Sequence, residues 1–276
     1  MPVRKRFGQH FLHDRNVVRR IIDTVSPAPG DRIVEIGPGR GALTWDLLKR
    51  AQALDVIEID RDLAQSLEAD ARATAGLRVH VENALDSDFH QMRGNGAALR
   101  VVGNLPYNIS TPLMFRLLAQ RSAIDDMHFM LQREVVDRMT AQPGNKTYGR
   151  LTVMLAAVAE VEKLFDVGPG AFQPAPKVWS AIVRLRPTPA PRFEIGHDGV
   201  LRMLATAAFS HRRKILSNGL KGFLTPEQIE SCGIDSQLRP EALTPAQFGL
   251  LAAHYSRLYS KADASLQENL GVVGPD

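Results

Sequence analysis

Cysteine is nearly missing from this chain, with Cys232 the single one among 276 residues. One thiol excludes an internal disulfide framework and any metal site built from several cysteines. It fits a reducing compartment, so a cytoplasmic location is expected. No apolar run approaches the roughly 18 residues needed to span a bilayer, and no membrane partner is expected. The opening Met-Pro-Val-Arg-Lys-Arg lacks a following apolar stretch, so no secretory signal is read. No internal repeat or low-complexity segment stands out.

What is present is ample core material, 44% hydrophobic residues. The length suits one large and one small domain, or a single large α/β domain. The net charge of +4 and pI near 9.4 are unevenly spread. Residues 1–30 carry six bases against two acids, and 209–221 carry four bases without an acid. Residues 54–91 are acidic, with nine acids against three bases. Basic ends around an acidic centre suggest a polyanion bound by the termini, with Lys5, Arg6, Arg212, Arg213 and Lys214 as candidate phosphate contacts.

Along the chain, Phe7, Phe11 and Leu12 in an irregular basic segment imply a tail packed back on the domain. Helical spacing begins near Asn16, with Val17, Val18, Ile21, Ile22 and Val25 on one face. Arg32–Gly37 reads as a buried parallel strand running into Gly37-Pro38-Gly39-Arg40-Gly41 and a helix. The next strand, 54–59, carries Glu58 about 20 residues past the loop, where an acid can accept both ribose hydroxyls of an adenosine cofactor. The loop is Gly-x-Gly-x-Gly rather than the phosphate-cradling Gly-x-Gly-x-x-Gly. That spacing favours S-adenosylmethionine over a dinucleotide, with Gly37 and Gly39 letting backbone approach the ligand. A third strand, 77–81, leads to Asn83, either an acceptor for the cofactor's adenine or the head of an Asx turn.

A fourth strand, 99–102, delivers Asn104-Leu105-Pro106-Tyr107, read as the catalytic loop. The Asn104 side-chain oxygen and the Leu105 carbonyl can accept from the exocyclic amine of a flat base. Pro106 stiffens the turn and Tyr107 offers a stacking face. Strands are also expected at 127–131, near 160–167 and at 180–186, with helices at 133–140 and around Leu151. Phe172, in a Pro- and Gly-rich loop, is a second candidate for base stacking, or else a core anchor. After the stiff linker 187–191 the pattern is helical throughout. Arg212, Arg213 and Lys214 open a short helix in this reading, and Pro226 and Pro245 start helices behind Thr225 and Thr244.

In order, the chain contains Lys-Arg-Phe-Gly-Gln-His-Phe-Leu, Glu-Ile-Gly-Pro-Gly-Arg-Gly-Ala-Leu-Thr, Ile-Glu-Ile-Asp, Gly-Asn-Leu-Pro-Tyr-Asn-Ile-Ser and Phe-Gln-Pro-Ala-Pro-Lys-Val. Together these resemble the ribosomal RNA adenine N6,N6-dimethyltransferases, in their small-subunit branch, from about Arg4 to Tyr259. The resemblance implies an α/β fold: a Rossmann-like seven-stranded methyltransferase domain (1–190), a small all-α RNA-binding domain (191–262) and a disordered tail (263–276). It implies transfer of methyl groups from S-adenosylmethionine to two adjacent adenosines near the 3′ end of 16S rRNA, within a small subunit or its precursor. A monomer without a metal is expected. His10 and Leu12 would close over the cofactor, Gly37 would lie under it, Glu58 would hold its ribose, and Asn104 would face both cofactor and target. His10 stands where many members have Asn, Asn83 where Asp is usual, and Trp179 where an acid is common. Rival readings are an NAD-dependent dehydrogenase, an assembly factor whose methylation is secondary, and a 23S rRNA enzyme of the erythromycin-resistance type.

Overall fold

A computed structural model describes residues 10–71 and 74–259. Strand β1 (Phe11–Leu12) leads into helix α1 (Arg15–Val25). Asp14 caps that helix by accepting from the N–H groups of Asn16 and Val17, satisfying donors that the first turn leaves open. Val18, Ile21, Ile22 and Val25 are buried on one face, as their spacing requires. Strands and helices then alternate: β2 (Arg32–Ile36), α2 (Thr44–Ala51), β3 (Leu54–Ile57), α3 (Arg61–Ala71), β4 (Leu77–His80), α4 (Phe89–Arg93), β5 (Leu99–Asn104), α5 (Ser110–Ala119) and β6 (Ile124–Gln132). There follow α6 (Arg133–Met139), α7 (Arg150–Val158), β7 (Ala159–Val167), β8 (Phe172–Gln173) and β9 (Ser180–Pro187). The remainder is helical: α8 (Asp198–Ser210), α9 (Leu216–Gly219), α10 (Pro226–Glu230) and α11 (Pro245–Tyr259).

Seven strands form one sheet in the order β4-β3-β2-β5-β6-β9-β7. The pairings β4–β3, β3–β2, β2–β5 and β5–β6 are parallel, and β9 runs antiparallel to β6. Burial on both faces explains the apolar strand sequences: all four residues of β3 are buried, and only Arg32 of β2 is partly open. Chain progress reverses between β2 and β5, so their carboxyl ends bound the crevice where such sheets take ligands. This is a Rossmann-like sheet. Separately, β1 pairs antiparallel with β8, Phe11 opposite Gln173 and Leu12 opposite Phe172, so these two residues pack back on the domain, while Phe7 lies outside the described residues.

The chain divides into two compact units. One holds the described residues through Val136 together with Glu160–Pro189; the other holds Asp137–Ala159 and the described residues from Ala190 onward. A boundary at 190 alone therefore misses one exchange. Residues 137–159 pack with the helical unit, because Tyr148, Val153 and Ala157 share a core with Leu201, Leu204, Phe248 and Leu251. The Tyr148 hydroxyl donates to the Leu243 carbonyl at 2.7 Å, and Phe209 stacks on Phe248. Thr225 caps α10 by accepting from Gln228 N–H, and Thr244 accepts from Gln247 N–H at the start of α11. Both prolines thus occupy the first helical position.

Candidate active site

A pocket opens at the carboxyl ends of β2, β3, β4 and β5, with His10, Phe11 and Leu12 forming a further wall. The loop after β2 supplies its floor. Gly37 and Gly39 take φ of +67° and +58°, a left-handed region where a side chain is strained. A Cβ on Gly39 would also stand 3.3 Å from the Phe11 ring. The Arg40 guanidinium lies over the other partner of that contact, 4.4 Å from the Phe11 ring centroid.

Two buried carboxylates line the same pocket. Glu58, directly after β3, accepts from Gly39 N–H at 3.1 Å and from Asp60 N–H at 2.9 Å. Burial holds its carboxyl above the usual carboxylate range, against the pull of those two N–H groups. Glu35 on β2 is pushed up to about 7 by burial, offset in part by the Thr44 hydroxyl that donates to it at 2.6 Å and reinforced by the charge of Glu58. Beside them Ile59 leaves 49% of its surface open, an apolar pocket wall that the sequence reading did not single out. Asn83 also lines the pocket. Its side-chain oxygen accepts from Leu85 N–H at 3.1 Å, which is the Asx turn. A second lone pair on that oxygen is still available to a ligand.

Strand β5 carries Asn104 to the pocket rim, and Leu105, Pro106 and Tyr107 follow in the loop before α5. The Asn104 Nδ2 donates to the His10 carbonyl at 3.1 Å. That commitment orients the amide and leaves Oδ1 to accept. Leu105 N–H donates to the Met130 carbonyl, while among the described residues nothing donates to the Leu105 carbonyl. The Tyr107 ring stacks against His10, centroids 5.9 Å apart, and its hydroxyl sits 2.9 Å from Ser180 Oγ. Burial raises the Tyr107 phenol above its ordinary value, so it is neutral at physiological pH. His10 Nδ1 in turn lies 2.7 Å from the Pro174 carbonyl. Two unopposed oxygens beside a held aromatic ring suit a planar group bearing an amine.

The ribosomal RNA adenine dimethylase family model matches residues 2–256. The chain belongs to that family. Its relatives include ribosomal RNA small subunit methyltransferase A of Alcanivorax borkumensis, 50% identical over 90% of this chain and 89% of that protein. The protein of the same name from Pseudomonas aeruginosa is 49% identical over 92% of this chain and 95% of its own. Among solved structures, a dimethyladenosine transferase from Plasmodium falciparum has a TM-score of 0.76 at 25% identity, covering 90% of this chain and 98% of that one. The 23S rRNA methyltransferase ErmE has a TM-score of 0.71 at 26% identity, covering 89% and 99%.

Within this dimethylase, several expected contributors lie elsewhere. Phe172 is only 3% exposed and packs in the core with Leu12 and Ile182. It anchors β8 and is not a base-stacking surface. Arg212, Arg213 and Lys214 occupy the turn after α8, not a helix. Arg212 Nη2 donates to the carbonyls of Lys146 and Tyr148 at 2.9 and 3.0 Å and lies 3.6 Å from Glu241, so it braces its own unit. Arg213 and Lys214 are exposed and remain candidate phosphate contacts. Lys5 and Arg6, and the tail from 263, lie outside the described residues. Among the described residues no group of acids, histidines and cysteine is arranged to hold a metal, and no helix is long and apolar enough to cross a membrane.

Proposed function

We propose that this dimethylase methylates the N6 amines of two adjacent adenosines in the 3′-terminal hairpin loop of 16S rRNA, with S-adenosylmethionine as methyl donor. The pocket fits that cofactor. Gly37 and Gly39 admit close backbone approach, Glu58 can accept from ribose hydroxyls, Ile59 offers an apolar wall to adenine, and Asn83 an acceptor for its amine. His10 and Leu12 close the opposite side. When bound, the cofactor supplies a methyl group on a sulfonium, already strongly electrophilic.

The chain's own residues then have a positioning and electrostatic task. Asn104 Oδ1 and the Leu105 carbonyl accept from the target amine and draw its lone pair out of conjugation with the ring. Both interactions strengthen as positive charge develops on the nitrogen, so they favour the transition state. Tyr107, held by His10 and Ser180, stacks against the base. No residue of the loop is an acid or histidine, which suits an amine that loses its proton late. In the helical unit, Arg213 and Lys214 offer phosphate contacts. Relatives near 50% identity that are named for the small subunit, against 26% for the 23S enzyme, support the 16S assignment.

The single observation that carries the reading is the tethered Asn104 amide with its oxygen left to accept. Asn104→Ala should lower kcat by about 10²–10³, the range for losing one preorganised polar group. RNA affinity should barely move. Single-turnover methylation of unmethylated small subunits at saturating cofactor isolates the step. A wild-type rate in the variant would reduce Asn104 to a turn residue.

A further inference from the structure

With Phe172 in the core, the loop it was expected to serve still presents one large aromatic to solvent. Trp179 is 49% exposed and its neighbour Val178 is 42% exposed. Exposed indoles cost apolar hydration, and this one is not on a loose loop. The segment 172–180 is pinned to the active site at three points. Phe172 is buried and paired with Leu12, the Pro174 carbonyl meets His10, and Ser180 meets the Tyr107 hydroxyl. Trp179 itself is fixed by its carbonyl, which accepts from Arg133 N–H at 2.9 Å. Its six-membered ring borders Gly168, where a Cβ would stand 3.7 Å from Cη2. The Arg133 guanidinium lies 5.7 Å from the ring centroid, adding positive charge beside the indole.

We propose that Trp179, backed by Arg133, is a stacking platform for an unpaired rRNA base that neighbours the adenosine held by Asn104 and Tyr107. The inference rests on the function proposed above and specifies how its substrate is recognised. Loop nucleotides of RNA are read by splaying their bases onto aromatic rings and arginine planes, and both are present here. The occupant is an RNA base because the residue after Trp179, Ser180, holds the Tyr107 ring beside the target amine, and the Arg133 guanidinium next to the indole is cationic. Trp179 is thus a positioning residue: it holds the strand that delivers the adenosine and touches no reacting atom.

The test uses the full chain and unmethylated small subunits. Trp179→Ala should raise KM for subunits by about 5- to 150-fold, the range for losing one base–aromatic stack. Trp179→Phe should restore most of it, and S-adenosylhomocysteine affinity should be unchanged in both. Independently, the emission difference between wild type and Trp179→Phe isolates this indole from Trp45, the other tryptophan. That difference should be quenched as subunits are added. Unchanged KM and emission, with wild type methylating normally, would overturn the platform while leaving the proposed function intact. A blue shift without quenching would overturn it as well, since a ribosomal protein and not a base would then cover the ring. Wild type that leaves the subunits unmethylated would overturn the proposed function, and this inference with it.

Discussion

Gly103, one residue before Asn104, sets where the Asn104 side-chain amide sits. It pairs with Ile36 across the β2–β5 junction and with Phe129 on the other side. A Cβ built there would stand 2.7 Å from the Ile36 carbonyl oxygen and 3.0 Å from Leu105 Cδ2. A carbon tolerates a carbonyl oxygen at about 3.3 Å, so Gly103→Ala must open the strand ends by roughly 0.6 Å. The obstructing atom is backbone in a buried strand and cannot swing away. Overpacking of this kind costs about 1–3 kcal/mol. The shift also falls on Asn104, and since a 1 Å misplacement can cost 10²-fold in rate, a loss of about 10- to 100-fold is expected. Single-turnover methylation, measured well below the variant's melting temperature, separates that loss from instability. Calorimetry with S-adenosylhomocysteine should show cofactor binding largely kept. A variant that is destabilised yet transfers methyl groups at the wild-type rate would refute the claim that this glycine positions the amide.

Glu58→Ala should weaken S-adenosylmethionine binding by about 10- to 100-fold, because charge-assisted hydrogen bonds are lost; calorimetry that returns the wild-type Kd would remove Glu58 from the cofactor site. Replacing Arg213 and Lys214 together by Ala, with Arg212 kept for its structural bonds, should flatten the log–log salt dependence of RNA binding by about 1.5–2. An unaltered slope would make this turn ordinary solvated surface. His128 is buried and, among the described residues, neither ring nitrogen has a hydrogen bond, and burial pushes its pKa down to about 4 despite nearby Asp126. Its neutral form is the native one, so the stability it preserves is complete above the unfolded value near 6.5 and drains as pH falls toward 4. The loss amounts to roughly 3 kcal/mol. His128→Leu should flatten the stability curve across that window, and urea midpoints that track wild type at every pH would contradict it.

How much of this was readable in advance follows from the range of the interactions. Arg32–Ile36 and Leu54–Ile57 were legible as strands because burial on both faces demands an apolar, β-branched run, a strictly local signal. The placement of Asn104–Tyr107 at a strand's carboxyl end was legible because strand and loop are consecutive residues. The position of Glu58, after the next strand and against the glycine loop, was legible from its interval after that loop. By contrast, the β1–β8 pairing joins residues about 160 positions apart, and nothing near Phe172 states which partner it will find. A loop aromatic bordered by Pro and Gly reads the same whether it reaches for a base or drops into the core. The structure decides that question through Leu12, which must cover its own apolar side chain against something. Residues 137–159 were misplaced for a similar reason. The faces of α7 fit an apolar core equally well in either unit, and only the return of the chain after Ala190 brings α8 and α11 against it. Ile59 and Gly103 escaped because their significance lies in what stands opposite them. An isoleucine is informative only when the fold leaves it open in a pocket, and a strand glycine only when a neighbouring carbonyl occupies the space where a Cβ would be.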